Sequence, residues 1–337
     1  MNEMIKNAIV TFIFVFIANV VSAQHIYPKA EYSSTIKSFE ISDFDIQDTI
    51  LYFPLGESGL HILNIADQAN IEELSVYTEY EKRSRSSKVY GTAYQVQVID
   101  NKAYLAFGDL GFKVLDVTDP TMPYVIGNYY RHQQVHCFEM FENFALLGYI
   151  DMGLEIVDIS DLNNMRMVAR KNYKGFSVQN IQIAQPYVVV SGGIRGLKIF
   201  KFRDPFNTFK QDQFPRDYLT NNEANKLLLN GKAGYLANDY RGLTVFNMGL
   251  PLYPIEVLNI KTEGRAHDLI IDGNFLYVAC EKSVEVFDIT EAEKPVKVHE
   301  FIDKDKDFES LKMYNNQLYA AYGSGRKDYG IMIFKVE

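Results

Sequence analysis

The chain has 337 residues, a net charge of −9, 23 Tyr, 23 Phe, no Trp and two Cys. Its acidity disfavours non-specific attachment to nucleic acid or anionic membranes, and its wealth of Leu, Val, Ile and Phe excludes a disordered chain. Such a length often means two domains, but repetition along it points to one closed unit.

Residues 1–23 read as a secretory signal peptide. Lys6 and the amino terminus give a positive start, residues 8–18 form an apolar core, and Val21-Ser22-Ala23 places small residues before Gln24. That core is short for a span of about 20 residues. No Cys lies near the cut to carry a lipid anchor. The expectation is an exported chain, 24–337, periplasmic or extracellular, with no membrane insertion after cleavage.

Residues 94–130 show the pattern on which the remainder is built. Runs 95–99, 103–107, 112–117 and 124–130 are rich in β-branched and aromatic residues and are separated by Asn, Gly, Asp and Pro. They predict four consecutive antiparallel strands. One such sheet cannot bury both its faces, so it needs copies of itself as neighbours. The third run recurs as LHILNIA, FKVLDVT, LEIVDIS, LKIFKFR, LTVFNMG, VEVFDIT and IMIFKVE. Its fifth residues are Asn64, Asp116, Asp158, Lys201, Asn247, Asp288 and Lys335, at intervals of 52, 42, 43, 46, 41 and 47. Seven copies with this period predict an all-β, seven-bladed β-propeller of four-stranded blades.

The innermost strands are expected at 41–46, 93–98, 135–140, 178–183, 224–229, 266–271 and 308–313. Their fourth and sixth residues are apolar, as with Val96 and Val98, so these strands are clamped between blades. The last copy ends at Glu337 after its third strand. A spare fourth strand stands at 26–34, and pairing it with 331–336 closes the ring and removes an exposed sheet edge. The Asp-Pro, Thr-Asp and Ser-Asp pairs after the third strands read as turn chemistry. Cys137 and Cys280 occupy non-equivalent places in their repeats and read as buried thiols, not a disulfide.

Segments 108–123 and 152–161 resemble the LVIVD repeat. That family is similar in layout to the WD-repeat propellers and occurs in exported bacterial and archaeal proteins. Segments 201–205 and 247–251 depart from the motif while keeping the strand spacing. The resemblance implies a propeller fold and an interaction role, and it fixes no catalytic residue.

Candidate functional residues follow from the loops at the channel mouth, where a rigid scaffold presents variable side chains. The second residues of the inner strands include Tyr94, His136, Gln179, Asn225, His267 and Glu309, a ring of hydrogen-bonding groups suited to a polar ligand. The competing reading is strand ends that satisfy themselves beside a water-filled channel. The loops joining second to third strands add Arg195, Arg241 and Arg326, which suit carboxylates, sulfates or sugar rings. The basic, Ser-rich insertion at 79–91 reads as a surface loop, or as a dock for an acidic patch.

No Gly-x-Ser-x-Gly elbow, His-Glu-x-x-His motif or phosphate-binding Gly-rich loop is present. The expectation is therefore no catalytic residue, no metal and no cofactor. The chain reads as a monomeric binding or scaffold module for an envelope protein, peptide or glycan, with no nucleic-acid partner. The alternative is a propeller hydrolase or lyase acting on a carbohydrate or lactone through His136, His267 and Glu309.

Overall fold

Seven four-stranded antiparallel sheets, six of them meanders of consecutive strands, form the ring that the repeats predict. The computed structural model describes residues 24–34, 43–82, 88–209, 216–218, 220, 223–324 and 328–337. The leader expected at 1–23, and Arg326, lie outside the described residues. The second blade shows the plan: Gln95–Ile99, Lys102–Ala106, Phe112–Asp116 and Tyr124–Tyr129, in that order from the channel outward. The other innermost strands are Asp45–Gln47, Val135–Phe141, Asn180–Ala184, Lys226–Asn230, Ala266–Asp272 and Asp307–Tyr314.

The last blade is completed from the other end of the described chain. Ile26–Ser34 pairs antiparallel with Asp328–Val336, from Ile26 opposite Val336 to Ser34 opposite Tyr329. A bulge falls between Pro28 and Ala30, a place where a residue lacking an N–H does least harm to the ladder. Two further backbone bonds join His25 and Glu337, at 2.9 and 3.0 Å.

Among the described residues the core consists of seven apolar clusters, one at each junction between neighbouring blades. Phe112 and Val114 of blade two, for example, meet Phe138 and Leu147 of blade three. Apolar burial contributes about 25 cal/mol per Å², and it lies between the blades. Ile26 is 1% exposed and belongs to the junction of blades six and seven.

The repeat motif acquires a local meaning here. Among the described residues, the third and fourth strands of five blades slip register within the motif, as between Val114 and Leu115. Such bulges increase strand twist. The motif's Asp or Asn then folds back onto the N–H two residues later: Asp116 to Thr118 at 2.9 Å, Asp158 to Ser160 at 3.0 Å, Asp288 to Thr290 at 2.7 Å. The turn chemistry expected from sequence follows directly: Asp119 accepts from Thr121 N–H at 3.0 Å, Asp161 from Asn163 N–H at 3.0 Å and Asp204 from Phe206 N–H at 2.9 Å.

The motif's second residue is buried and often polar. Glu155 is fully buried and accepts from Tyr129 and Tyr149 hydroxyls, each at 2.8 Å, and from Arg170 Nε at 2.7 Å. Lys113 pairs with Glu79 at 3.0 Å, and Glu285 with Lys297 at 3.3 Å. Cys137 and Cys280 are separate buried thiols.

The insertion expected as a loop contains a two-stranded hairpin, Tyr80–Lys82 with Lys88–Tyr90. Its cross-strand Tyr80 and Tyr90 rings lie 5.6 Å apart, and the Lys88 ammonium sits 4.1 Å from the Tyr80 ring. Pairing of aromatic side chains across the strands favours a ribbon over a coil.

Deleting residues 24–34 should leave the Asp328–Val336 edge bare. The expected result is a lower melting temperature and concentration-dependent association on size-exclusion chromatography. A deletion variant that stays monomeric with unchanged melting contradicts closure as a source of stability.

Candidate functional site at the channel mouth and in the channel

Among the described residues, four equivalent backbone bridges fix the mouth. The loop between second and third strands reaches the start of the next blade's inner strand at Gly56–Ala93, Gly108–Val135, Gly193–Ala224 and Asp239–Ala266. Gly108, for instance, donates to Val135 at 3.2 Å and accepts from it at 3.1 Å. These loops are tight turns in which Gly108 and Gly193 hold positive φ, at 54° and 53°, backbone that glycine adopts without a Cβ clash. Their exposed side chains are therefore carried on a stiff frame.

The ring of second residues is largely engaged between blades. His136 is buried, its Nδ1 lies 3.0 Å from the Val178 carbonyl of blade four, and its ring is 4.7 Å from that of Tyr94. A carbonyl only accepts, so Nδ1 carries the proton of that bond. Asn225 donates to the Ala266 carbonyl at 2.9 Å, and Ser191 donates to the Asn225 carbonyl at 2.6 Å. His267 Nε2 lies 2.9 Å from Asp307 Oδ1, out of line for a hydrogen bond, while Arg265 donates to Asp307 Oδ2 at 3.0 Å.

His136 and His267 thus sit in blades three and six, each turned to the next blade. Gln179 and Glu309 are half-buried, Glu309 close against Gly323. Arg195 is exposed, and Arg241 is ion-paired with Glu256. Exposed Tyr240 stands beside Arg265, whose guanidinium carbon is 5.8 Å from its ring.

Deeper in the channel is a charged cluster that the sequence reading did not assemble. Lys226 Nζ is 2.7 Å from Asp268 Oδ1, and Lys312 is ion-paired with Asp45. Asp43 and Glu139 act on Lys226 from blades one and three, so groups from across the ring meet at its axis. The cluster also caps the free edges of the inner strands. Asp45 accepts from Val98 N–H at 2.6 Å, Gln95 from Phe138 N–H at 2.7 Å, and Asp268 from Leu311 N–H at 2.8 Å. Glu139 does the same for Ile183. Each side chain satisfies backbone of the next blade, as buried polar groups require.

Burial pushes the Asp43 carboxyl upward against the pull of Lys226 and Lys312. Burial also opposes the Lys226 ammonium, but Asp268, Asp43 and Glu139 outweigh it and hold its pKa above the ordinary lysine value. Burial raises Glu139 to about 7, with Lys226 pulling the other way. Among the described residues no group of three or more His, Cys, Asp or Glu side chains gathers as a metal ion requires. The visible signal for this cluster was polar residues alternating with apolar ones on the inner strands. Lys226 and Asp268 are third residues of their inner strands, one place beyond the ring of second residues, and Asp45, Glu139 and Lys312 are fifth residues that the sequence pattern does not single out.

The LVIVD repeat model matches residues 90–130, 139–172 and 263–299, within blades two, three and six and their approaches. The chain carries LVIVD repeats. No curated protein matches the chain. Among solved structures it is similar to a chain of the mitotic checkpoint complex, with a TM-score of 0.69 at 9% identity, covering 99% of each chain. It is also similar to the computationally designed Ika8 protein, with a TM-score of 0.62 at 12% identity, covering 88% of this chain and 83% of that one. At such identities the likeness shows the fold alone.

Two outcomes are expected from the channel. Lys226→Met removes the cation paired with Asp268 and one of the two that act on Asp43, and should cost about 3 kcal/mol in urea unfolding, with part recovered in Lys226→Met/Asp268→Asn. Glu139 binds a proton in the folded state at pH values where the unfolded chain has released it. Its contribution is thus complete below about pH 4.5 and is lost as pH rises towards 7. Glu139→Gln should therefore gain stability over the parent at pH 8 and lose that advantage at pH 5.

Proposed function

We propose that the LVIVD propeller is an exported binding or scaffold module that recognises a protein, peptide or glycan of the cell envelope through its channel-mouth face. Propeller fold and LVIVD repeats together support an interaction or scaffold role. The observation that carries the finer reading is the bridged mouth, where backbone bonds between blades hold the turns bearing Arg195, Tyr240 and Arg241. Rigid loops lose little entropy on binding, and Arg beside Tyr suits carboxylates, sulfates and sugar faces. Export rests on the apolar leader at residues 1–23.

Within this reading, His136, Asn225 and Tyr94 set the spacing between blades, and Arg195 and Tyr240 are available to a ligand. Arrays of envelope-derived peptides and glycans, probed with the purified protein, test it. Binding should fall at least about tenfold with Arg195→Glu or Tyr240→Ala, a loss of about 1.4 kcal/mol. It should persist with Leu250→Ser, which lies in the turn between third and fourth strands on the opposite face. Binding indifferent to both mouth substitutions moves the interaction away from that face.

A further inference from the structure

We propose that His25 and His299 form a divalent transition-metal site that straps the ring-closing strand to blade six. The two imidazoles come from the start of Ile26–Ser34 and from the outer strand of blade six, Val296–Ile302. Their Nδ1 atoms converge to 3.0 Å, with ring centroids 4.7 Å apart and Tyr27 flanking both rings at about 6 Å. Both are only partly buried, so ions and water reach them.

His299 is set up as a ligand. Its Nε2 lies 3.0 Å from the Ile26 carbonyl, which only accepts, so Nε2 carries the hydrogen. Neutral His299 therefore aims a bare Nδ1 lone pair at His25. A ring N–H held by a backbone carbonyl, with the opposite nitrogen left basic, is the arrangement that orients metal-binding histidines.

The separation also fits. Two nitrogens each about 2.0 Å from one metal stand roughly 2.8 Å apart at a right angle and roughly 3.3 Å apart in a tetrahedron. Without metal, His25 Nδ1–H donates to His299. With metal, that hydrogen moves to His25 Nε2 through solvent, both Nδ1 lone pairs turn to the ion, and no net proton is lost. Imidazole donors suit Zn²⁺, Ni²⁺ and Cu²⁺ in preference to Mg²⁺ or Ca²⁺. Water completes the coordination, because no third His, Cys, Asp or Glu joins the pair among the described residues.

Such a site links residues 274 apart in sequence, so it stabilises the closed ring selectively. Chelator-treated protein titrated with ZnCl₂ and NiCl₂ by calorimetry should show one site of micromolar affinity and no response to MgCl₂. Its melting temperature should rise by about 3–6 °C at a metal concentration a hundredfold above Kd. His25→Ala and His299→Ala should each weaken binding at least tenfold and remove the melting shift, whereas His132→Ala should retain both. Circular dichroism checks folding; His299→Gln, which keeps a donor for the Ile26 carbonyl, replaces His299→Ala if that variant unfolds. Absence of binding, melting that ignores the metal, or a site that survives both substitutions overturns the proposal.

Discussion

Apolar contact between one blade and the next is the interaction on which everything else in this molecule rests. A four-stranded sheet has two faces, and in this ring each face is covered by a neighbour's, so the core is divided into seven wedge-to-wedge clusters. A ring built in this way has no natural end. The seam is made from Ile26–Ser34 and Asp328–Val336, which turns the junction of the two chain ends into ordinary sheet. Ile26 is buried at that seam and Glu31 accepts a hydroxyl bond from Tyr322 across it, so closure carries both apolar and polar contact.

Closing the ring creates a second requirement at its axis. Seven inner strands each present an unpaired edge towards a narrow channel, and their N–H groups need acceptors. Asp45, Gln95, Glu139 and Asp268 supply them, each reaching forward by one blade. The carboxylates that serve this purpose bring negative charge into a confined space, where Lys226 and Lys312 offset it. The mouth therefore sits above a charged, well-bonded pin, and inter-blade bridges hold its turns in place. Rigidity in the axis and variability in the loops are two aspects of one design.

Much of this was legible in the order of residues. The period, the number of strands per copy, the spare amino-terminal strand and the Asx turns all depend on local pattern, and local pattern is written along the chain. The places of Tyr94, His136, Asn225 and His267 at the starts of the inner strands were legible for the same reason. Their partners were not. His136 meets Val178 and Asn225 meets Ala266, each about forty residues away, and only the angle between blades decides which atom is reached. The hairpin formed by Tyr80–Lys82 and Lys88–Tyr90 was concealed for a different reason: a short basic, Ser-rich stretch resembles a loop unless its two flanking Tyr residues are seen to meet across the strands.

The sequence by itself determined the seven-fold all-β ring, because strand alternation and repeat length leave few other ways to cover both faces of each sheet. Only the tertiary structure decided which charges share the channel and which histidines meet at the seam. Asp43, Glu139, Lys226 and Asp268 lie in four different blades, and His25 and His299 lie at opposite ends of the chain. Such encounters are set by the curvature that closes the ring, and no spacing along the chain records it.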